Sequence, residues 1–159
     1  MKPHVVEIDW KRDASSFTDH KYSRVHRWRF DGGAEVAASS SPDVVRLPFS
    51  DPAAVDPEEA FVVSLSSCHM LWFLDLVARA GYVVDRYVDR AEGYLTKKED
   101  GRAWLSRVVL APQVQFSGNK VPTDAAVHDL HHKAHEECFL ANAVKSEILV
   151  QGSWTYVNP

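Results

Sequence analysis

The sequence of 159 residues has no block of basic residues. It contains 18 Lys and Arg against 22 Asp and Glu, a net charge of −4, and the two signs are interspersed along the chain. Proteins that bind nucleic acid or anionic membranes present clustered positive charge. We therefore predict no nucleic-acid partner and no membrane partner, and expect a small or apolar ligand instead.

Long hydrophobic runs are also missing. The longest stretch without charge is residues 60–74, AFVVSLSSCHMLWFL, which at fifteen residues is shorter than a membrane span. The first twelve residues, MKPHVVEIDWKR, contain an apolar part too short and too often charged for a secretion signal. These absences predict a cytoplasmic protein in which residues 60–74 form a buried helix.

Cysteine is scarce, with only Cys68 and Cys138 in the chain and no CxxC or HExxH motif beside them. Cytosolic thiols are usually reduced, and free cysteines are commonly buried and unreactive. The cysteine count alone therefore leaves two inert core thiols and a reactive pair equally open.

The residues that are present indicate a single α+β domain over residues 1–159. The length and the 45% hydrophobic content are those of one globular domain. Asp56, Pro57 and two glutamates predict the start of a helix that ends before Gly81. The predicted elements are an N-terminal β segment and loop (1–55, with strands at 4–10, 22–30 and 34–39), a central helix (56–80), a β-hairpin (83–116), a second helix (122–138) and a terminal strand (144–157). This order suggests a largely antiparallel sheet around a long buried helix.

Cys68 needs a nearby positive charge to act as a nucleophile. It lies twelve residues beyond the helix N-cap, too deep to feel the helix dipole, and its apolar neighbours disfavour a charged thiolate. His69 cannot be its base, because adjacent residues on a helix point about 100° apart. A cation must come from elsewhere, and arginine stays charged when partly desolvated. The N-terminal β segment supplies four candidates, Arg12, Arg24, Arg27 and Arg29, and physical reasoning does not choose among them.

Four histidines on the second helix suggest a different chemistry. They form two i,i+4 pairs, which is the spacing of metal ligands: His128 with His132, and His131 with His135. Four histidines cannot all point one way on this helix, so we interpret them as a polar helix face and predict no metal or other cofactor. A His-rich metal-binding protein remains the less favoured alternative.

Two segments carry a resemblance to a known family. In the first, the helix start Asp56-Pro57-Glu58-Glu59 is followed by Cys68, ten positions after Glu58. In the second, HEECFLAN over residues 135–142 precedes a strand at 145–150. Together these segments resemble the two cysteine regions of the OsmC/Ohr family, the osmotically inducible and organic-hydroperoxide-resistance proteins. The resemblance covers residues 55–157.

This resemblance implies an OsmC/Ohr-like fold, an intertwined homodimer and a thiol peroxidase that reduces organic hydroperoxides. It implies that Cys68 attacks the peroxide and that Cys138 resolves the product as an intramolecular disulfide, which a dithiol of lipoyl or thioredoxin type reduces. Glu58 is then the site carboxylate. Arg24 is the first choice for the site cation and Arg12 the second.

An apolar surface beside the thiol suits an alkyl group better than hydrogen peroxide. The residues expected to form it are Phe61, Leu65, Leu71 and Trp72.

Phe139 follows the second cysteine where the family often has proline. The alternative function is therefore a non-catalytic protein of this fold that binds a ligand or senses redox state.

Helix geometry makes a prediction of its own. Glu58 and Cys68 lie ten residues apart in one helix, which separates them by roughly 15 Å along its axis and about 80° around it. A glutamate side chain cannot bridge that gap, and no Gly or Pro interrupts the helix between residues 60 and 74. The helix is also apolar nearly all round. We therefore expect an obligate homodimer in which Glu58 of one subunit serves the partner's Cys68.

Overall fold

A computed structural model describes residues 1–158 and confirms the α+β class. In chain order its helices and strands are β1 (Val6–Asp9), β2 (His26–Phe30), β3 (Glu35–Ala38), α1 (Pro57–Arg79), β4 (Val83–Asp89), β5 (Glu92–Lys97), β6 (Ala103–Leu110), β7 (Pro112–Ser117), α2 (Asp124–Glu137), β8 (Glu147–Val150) and β9 (Ser153–Tyr156), with a short 3-10 turn at Ala141–Ala143. The chain divides into two compact units, residues 1–60 and the part from Phe61 onward. The single-domain organisation stays a prediction.

The first unit contains an antiparallel sheet in the order β1-β2-β3. Its hairpin turns at the predicted position, where Gly33 takes a φ of +88° that a residue without a Cβ tolerates. The strand before the turn begins at His26 rather than at residue 22. The segment predicted as a loop contains neither helix nor strand, and a bridge between Ala38 and Val55 closes it.

Helix α1 begins and ends where the sequence predicts. The Asp56 carboxylate accepts a hydrogen bond from the Glu59 N–H (2.8 Å), and the Glu59 carboxylate accepts one from the Asp56 N–H (3.2 Å). This reciprocal capping satisfies two backbone donors at the helix start. Gly81, with a φ of +78°, follows the helix end.

The second unit differs from the prediction in how its strands pair. The predicted hairpin over residues 83–116 contains four strands and the predicted terminal strand contains two, which gives the sheets β4-β7-β9 and β5-β6-β8. The hairpin pairs β5–β6 and β4–β7 are antiparallel, as expected, whereas β8 and β9 pair in parallel with β6 and β7. At the break the Asp89 carboxylate accepts the Ala111 N–H at 2.7 Å, so this donor is satisfied outside the strand ladders. A Cβ on Gly152, between β8 and β9, would lie 3.1 Å from the Pro112 carbonyl oxygen.

Two apolar clusters form the core of the second unit. The larger joins Phe73 and Val77 of α1 to β7 and α2, and the smaller joins Leu65 of α1 to β6. Truncating a buried side chain as large as Phe73 to alanine typically costs about 3–5 kcal/mol. Helix α1 is therefore anchored to both sheets of this unit.

Helix α1 is not covered on every side within one chain. The fully buried positions form one stripe, Leu65, His69, Phe73 and Val77, whereas Val63 and Leu71 are each 61% exposed. By length and composition alone α1 would pass as a membrane span, a test that the core helix of a soluble protein also passes. Its packed stripe, with a buried histidine at the centre, is that of a core helix. Cover of its exposed side by a second subunit stays a prediction.

Candidate functional site

The two thiols meet in the second unit. Cys68 lies in the middle of α1 and Cys138 is the C-cap of α2, and their Sγ atoms are 2.7 Å apart as free thiols. Cys138 is 1% exposed, whereas Cys68 is half-buried. The more accessible sulfur is therefore the one predicted to meet the peroxide, and the buried sulfur lies within disulfide-forming reach.

Backbone groups and one amide hold Cys138 in place. The Ala141 N–H donates to its Sγ at 3.4 Å, and the Asn142 amide donates to the carbonyls of Glu136 (2.7 Å) and Cys138 (3.0 Å). Burial, together with the hydrogen bond to Cys68, raises the pKa of Cys138 to about 11. Cys138 is therefore a protonated thiol at neutral pH. The sequence reasoning gave Asn142 no role, because the hydrogen bonds of its amide depend on how the chain turns after the C-cap of α2.

The first unit contains a separate pocket of about 410 Å³ in which Arg24 and Glu58 are both lining residues. Its apolar part is an aromatic cluster: Phe17 stacks on Tyr22 with ring centroids 4.6 Å apart, and Trp10 lies edge-on to Tyr22 at 5.6 Å. A pocket with a large apolar wall and a few polar groups is typical of a small-molecule site.

Arg24 differs from the other candidate arginines in its partners. Its guanidinium lies 3.7 Å from the centre of the Tyr22 ring and donates to the carbonyls of His20 (2.8 Å) and Tyr22. Among residues 1–158 no carboxylate forms a salt bridge with it. In this chain, backbone carbonyls and the Tyr22 ring, rather than a carboxylate, hold the guanidinium. Arg24 keeps its charge available to an anion.

The other three arginines are engaged outside the pocket. Arg12 donates to the Ser15 carbonyl at 3.0 Å. Arg27 pairs with Glu35 at 2.7 Å, and Arg29 pairs with Glu7, Asp9 and Glu35. The hydrogen bonds of Arg29 to these three carboxylates raise the pKa of its guanidinium above the ordinary value. Geometry within the first unit therefore favours Arg24, the choice that spacing alone did not make.

The four predicted substrate contacts do not form one surface. Leu65 is a core residue, and Phe61 packs against the same small cluster. Leu71 is exposed, and Trp72 meets the exposed Phe139 edge-on with ring centroids 5.7 Å apart. Phe61, Leu65 and Trp72 share one side of α1, but Trp72 lies roughly 10 Å or more further along the helix axis, and Leu71 is turned about 100° away from Trp72.

Glu58 and Cys68 belong to the same unbroken helix, as predicted. The helix is continuous from Pro57 to Arg79, so helix geometry separates the two residues by roughly 15 Å along the axis. The premise of the two-subunit arrangement is therefore met, and the arrangement itself stays a prediction.

The histidines of α2 point in different directions, and one of them was misinterpreted. His128 and His132 are exposed, but His131 is buried and shares a hydrogen bond of 3.0 Å with His69 of α1. A polar helix face is thus the wrong interpretation for His131. Residues 1–158 contain no group of three or more His, Cys, Asp or Glu side chains placed to hold a metal ion.

Comparisons with known proteins give a matching family model and a similar solved structure. A family model described as OsmC-like protein matches residues 50–152. The chain is similar to the solved structure of an OsmC-like protein of unknown function from Vibrio cholerae, with 49% identity, a TM-score of 0.93, and coverage of 96% of this chain and 100% of that one. No curated protein matches the chain.

Two more distant structures share the fold. One is an organic hydroperoxide resistance protein from Elizabethkingia anophelis, with 18% identity, a TM-score of 0.68, and coverage of 99% of this chain and 98% of that one. The other is an organic hydroperoxide resistance protein OsmC from Legionella pneumophila, with 13% identity, a TM-score of 0.64 and 98% coverage of each chain. At these identities the likeness establishes the fold alone.

Proposed function

We propose that this chain, which belongs to the OsmC family, is a thiol-dependent reductase of organic hydroperoxides. The observation that carries the proposal is the 2.7 Å approach of the Cys68 and Cys138 sulfur atoms. Two cysteines 70 residues apart meet, one partly accessible and one buried, as a peroxidatic and a resolving thiol must. The hydroperoxide-resistance proteins of the same fold support the same chemistry.

The reaction proceeds in three balanced steps. The Cys68 thiolate attacks the terminal peroxide oxygen, so that an S–O bond forms, the O–O bond breaks and the alkoxide leaves as an alcohol after taking a proton. Cys138 then attacks the sulfur of the Cys68 sulfenic acid, which forms the S–S bond, breaks the S–O bond and releases water. A dithiol of lipoyl or thioredoxin type exchanges with the disulfide and restores both thiols.

Arg24 is the proposed cation of this site. Its charge has no carboxylate partner among the described residues, and a guanidinium of this kind stabilises a thiolate and a developing alkoxide. Glu58, which lines the same pocket, is the proposed carboxylate. Because α1 is continuous between Glu58 and Cys68, we assign each site Glu58 from one subunit of a homodimer and the partner's Cys68.

The proposed substrate is a hydroperoxide with a bulky apolar group. The pocket beside Arg24 is walled by aromatic rings, and Leu71 and Trp72 offer apolar surface in the unit that carries the thiols. Leu65 is excluded from this role by its burial. The proposed location is the cytoplasm, where thiol reductants keep cysteines reduced.

The test is the rate at which Cys68 is oxidised by cumene hydroperoxide and by hydrogen peroxide, followed by rapid mixing in the Cys138→Ser variant. We expect the alkyl hydroperoxide to react at least about tenfold faster, since only it gains from an apolar pocket. Cys68→Ser is the blank. Oxidation by both peroxides no faster than that of free cysteine would reject the enzyme and favour a ligand-binding protein, which the aromatic pocket also suits.

A further inference from the structure

A buried pair of histidines lies on α1 and α2, the two helices that position the thiols, and has no part in the chemistry above. His69 follows Cys68 on α1, and His131 lies on α2. The Nε2 atom of His69 is 3.0 Å from the Nδ1 atom of His131, and the rings are nearly parallel, with an interplanar angle of 8° and centroids 5.3 Å apart. The two residues are 1% and 8% exposed. Phe73 stacks on the His131 ring at 4.0 Å.

Both imidazoles are neutral at physiological pH. Burial lowers the pKa of His69 to about 4 and that of His131 to about 3, and the nearby His135 and His128 add to the effect. Each ring therefore carries one N–H, and a single N–H lies in the contact between the two rings. The Nδ1 atom of His69 is buried and has no partner among the described residues. A buried acceptor tolerates this better than a buried N–H, so His69 carries its hydrogen on Nε2 and donates it to His131.

The pair and the thiols connect the same two helices. His131 and Cys138 are seven residues apart on α2, which brings them to within about 20° of one face and roughly 10 Å along the axis. On α1 the corresponding residues are neighbours. The other contacts between these helices in the larger cluster are apolar, and apolar contacts are not directional. The imidazole hydrogen bond is directional, and it does not depend on the oxidation state of the sulfur atoms.

We propose that the His69–His131 hydrogen bond is a positioning device for the resolving step, holding α2 on α1 so that Cys138 stays beside Cys68. The proposal rests on the proposed function, because it concerns the disulfide that closes the catalytic cycle. Both histidines are positioning residues and neither touches the peroxide.

Matched substitutions separate the hydrogen bond from the packing. His131→Phe keeps the ring against Phe73 and removes the nitrogen, whereas His131→Asn places an amide near the Nδ1 position without the ring. At the other partner, His69→Gln keeps a donor near Nε2 and His69→Met has a similar length without one. The exposed His132→Phe is the control. Thermal melting checks that each variant is folded. If a His131 variant does not fold, the comparison of His69→Gln with His69→Met carries the test.

Two measurements are made on each variant. The first is the Cys68–Cys138 disulfide equilibrium in a glutathione redox buffer, which needs no peroxide. The second is the rate of disulfide closure after one equivalent of cumene hydroperoxide, recorded separately from the oxidation of Cys68. We expect His131→Phe and His69→Met to lower the equilibrium constant and the closure rate about tenfold, the effect of one net hydrogen bond. His131→Asn and His69→Gln should recover most of that loss, and the first oxidation should be unchanged throughout.

Closure and equilibrium equal to wild type in folded His131→Phe and His69→Met would overturn the positioning role. So would amide variants that are no better than their apolar counterparts. Failure of the proposed function looks different: no variant, wild type included, is oxidised by the hydroperoxide, while the glutathione equilibrium still shifts between the amide and apolar variants.

Discussion

The two compact units differ in how they are packed and in the chemistry they contain. In residues 1–60 only Ala38, Ser39 and Ser50 are buried, and the unit holds an exposed salt-bridge network and an aromatic pocket lined by a guanidinium that has no carboxylate partner among the described residues. The unit from Phe61 onward contains both apolar clusters, the thiol pair and the histidine pair. Core packing therefore sets the distance between the sulfur atoms, whereas side-chain and loop contacts set the position of the cation.

The largest effect is expected at the thiols of the second unit. Cys68→Ser should abolish peroxide turnover, because the remaining thiol, Cys138, is buried and protonated at neutral pH. Cys138→Ser should be oxidised once and then stop as a sulfenic acid or a higher oxide, since the resolving thiol is absent. Mass spectrometry of the reacted protein distinguishes the unoxidised Cys68→Ser variant from the oxidised Cys138→Ser variant. Equal residual turnover in the two variants would contradict the assigned roles.

Substitution in the first unit should lower the rate without removing the chemistry. Arg24→Ala should reduce kcat/KM about 100-fold, the usual effect of losing one charged donor to a developing anion. Arg27→Ala is the matched control, because its guanidinium is engaged with Glu35 outside the pocket, and it should leave the rate nearly unchanged. A larger loss in the control than in Arg24→Ala would move the cation to another arginine.

Mixed dimers test whether one site combines Glu58 of one subunit with the partner's Cys68. Glu58→Ala and Cys68→Ser, each inactive alone, should regain about a quarter of wild-type activity after co-refolding at random pairing, because half of the dimers are heterodimers and each heterodimer has one intact site of two. Steady-state assays of the mixture measure the recovery. No recovery, or a monomer at working concentration by sedimentation, would exclude the shared site.

Acid should destabilise the second unit through its histidine pair. The folded pKa values of His69 and His131, about 4 and about 3, lie below the ordinary value of 6.5, so the unfolded chain binds more protons as the pH falls below 6.5. The contribution of the pair to the free energy of unfolding should therefore be fully present above pH 6.5. On acidification toward pH 4 the free energy of unfolding should decrease by roughly 1 kcal/mol or more per pH unit. Urea titrations at pH 7 and pH 5 measure this, and the decrease should be smaller in His69→Gln. An equal decrease in that variant would assign the acid sensitivity to other groups.

The smallest effect is expected from metal removal. The proposed reaction uses no metal, so treatment with a chelator should leave the peroxidase rate and the melting temperature unchanged. Stoichiometric zinc or iron in the purified protein, lost together with activity, would revive the metal-binding alternative on α2.

Local signals predicted much of the fold. The cap at Asp56 and Glu59, the glycine after α1 and the turn before Ala34 lie where the sequence indicated, because each depends on residues within a few positions of one another. Strand pairing was less predictable. The split of the long strands and the parallel pairing of β8 and β9 depend on contacts such as Asp89 with Ala111, which are 22 residues apart.

The residue types and their spacing were sufficient to single out Cys68 and Cys138, to give α1 its apolar character and its continuity past Glu58, and to limit the cation to four arginines. They could not show which arginine lines a pocket, because that depends on how the loop before α1 folds back toward the sheet. Helical spacing does place His131, and not His128 or His132, on the face of α2 that carries Val127, Leu130 and Ala134. What spacing could not supply is the partner: α2 packs against α1 through that face, and the neutral imidazole there finds its hydrogen-bond partner 62 residues away.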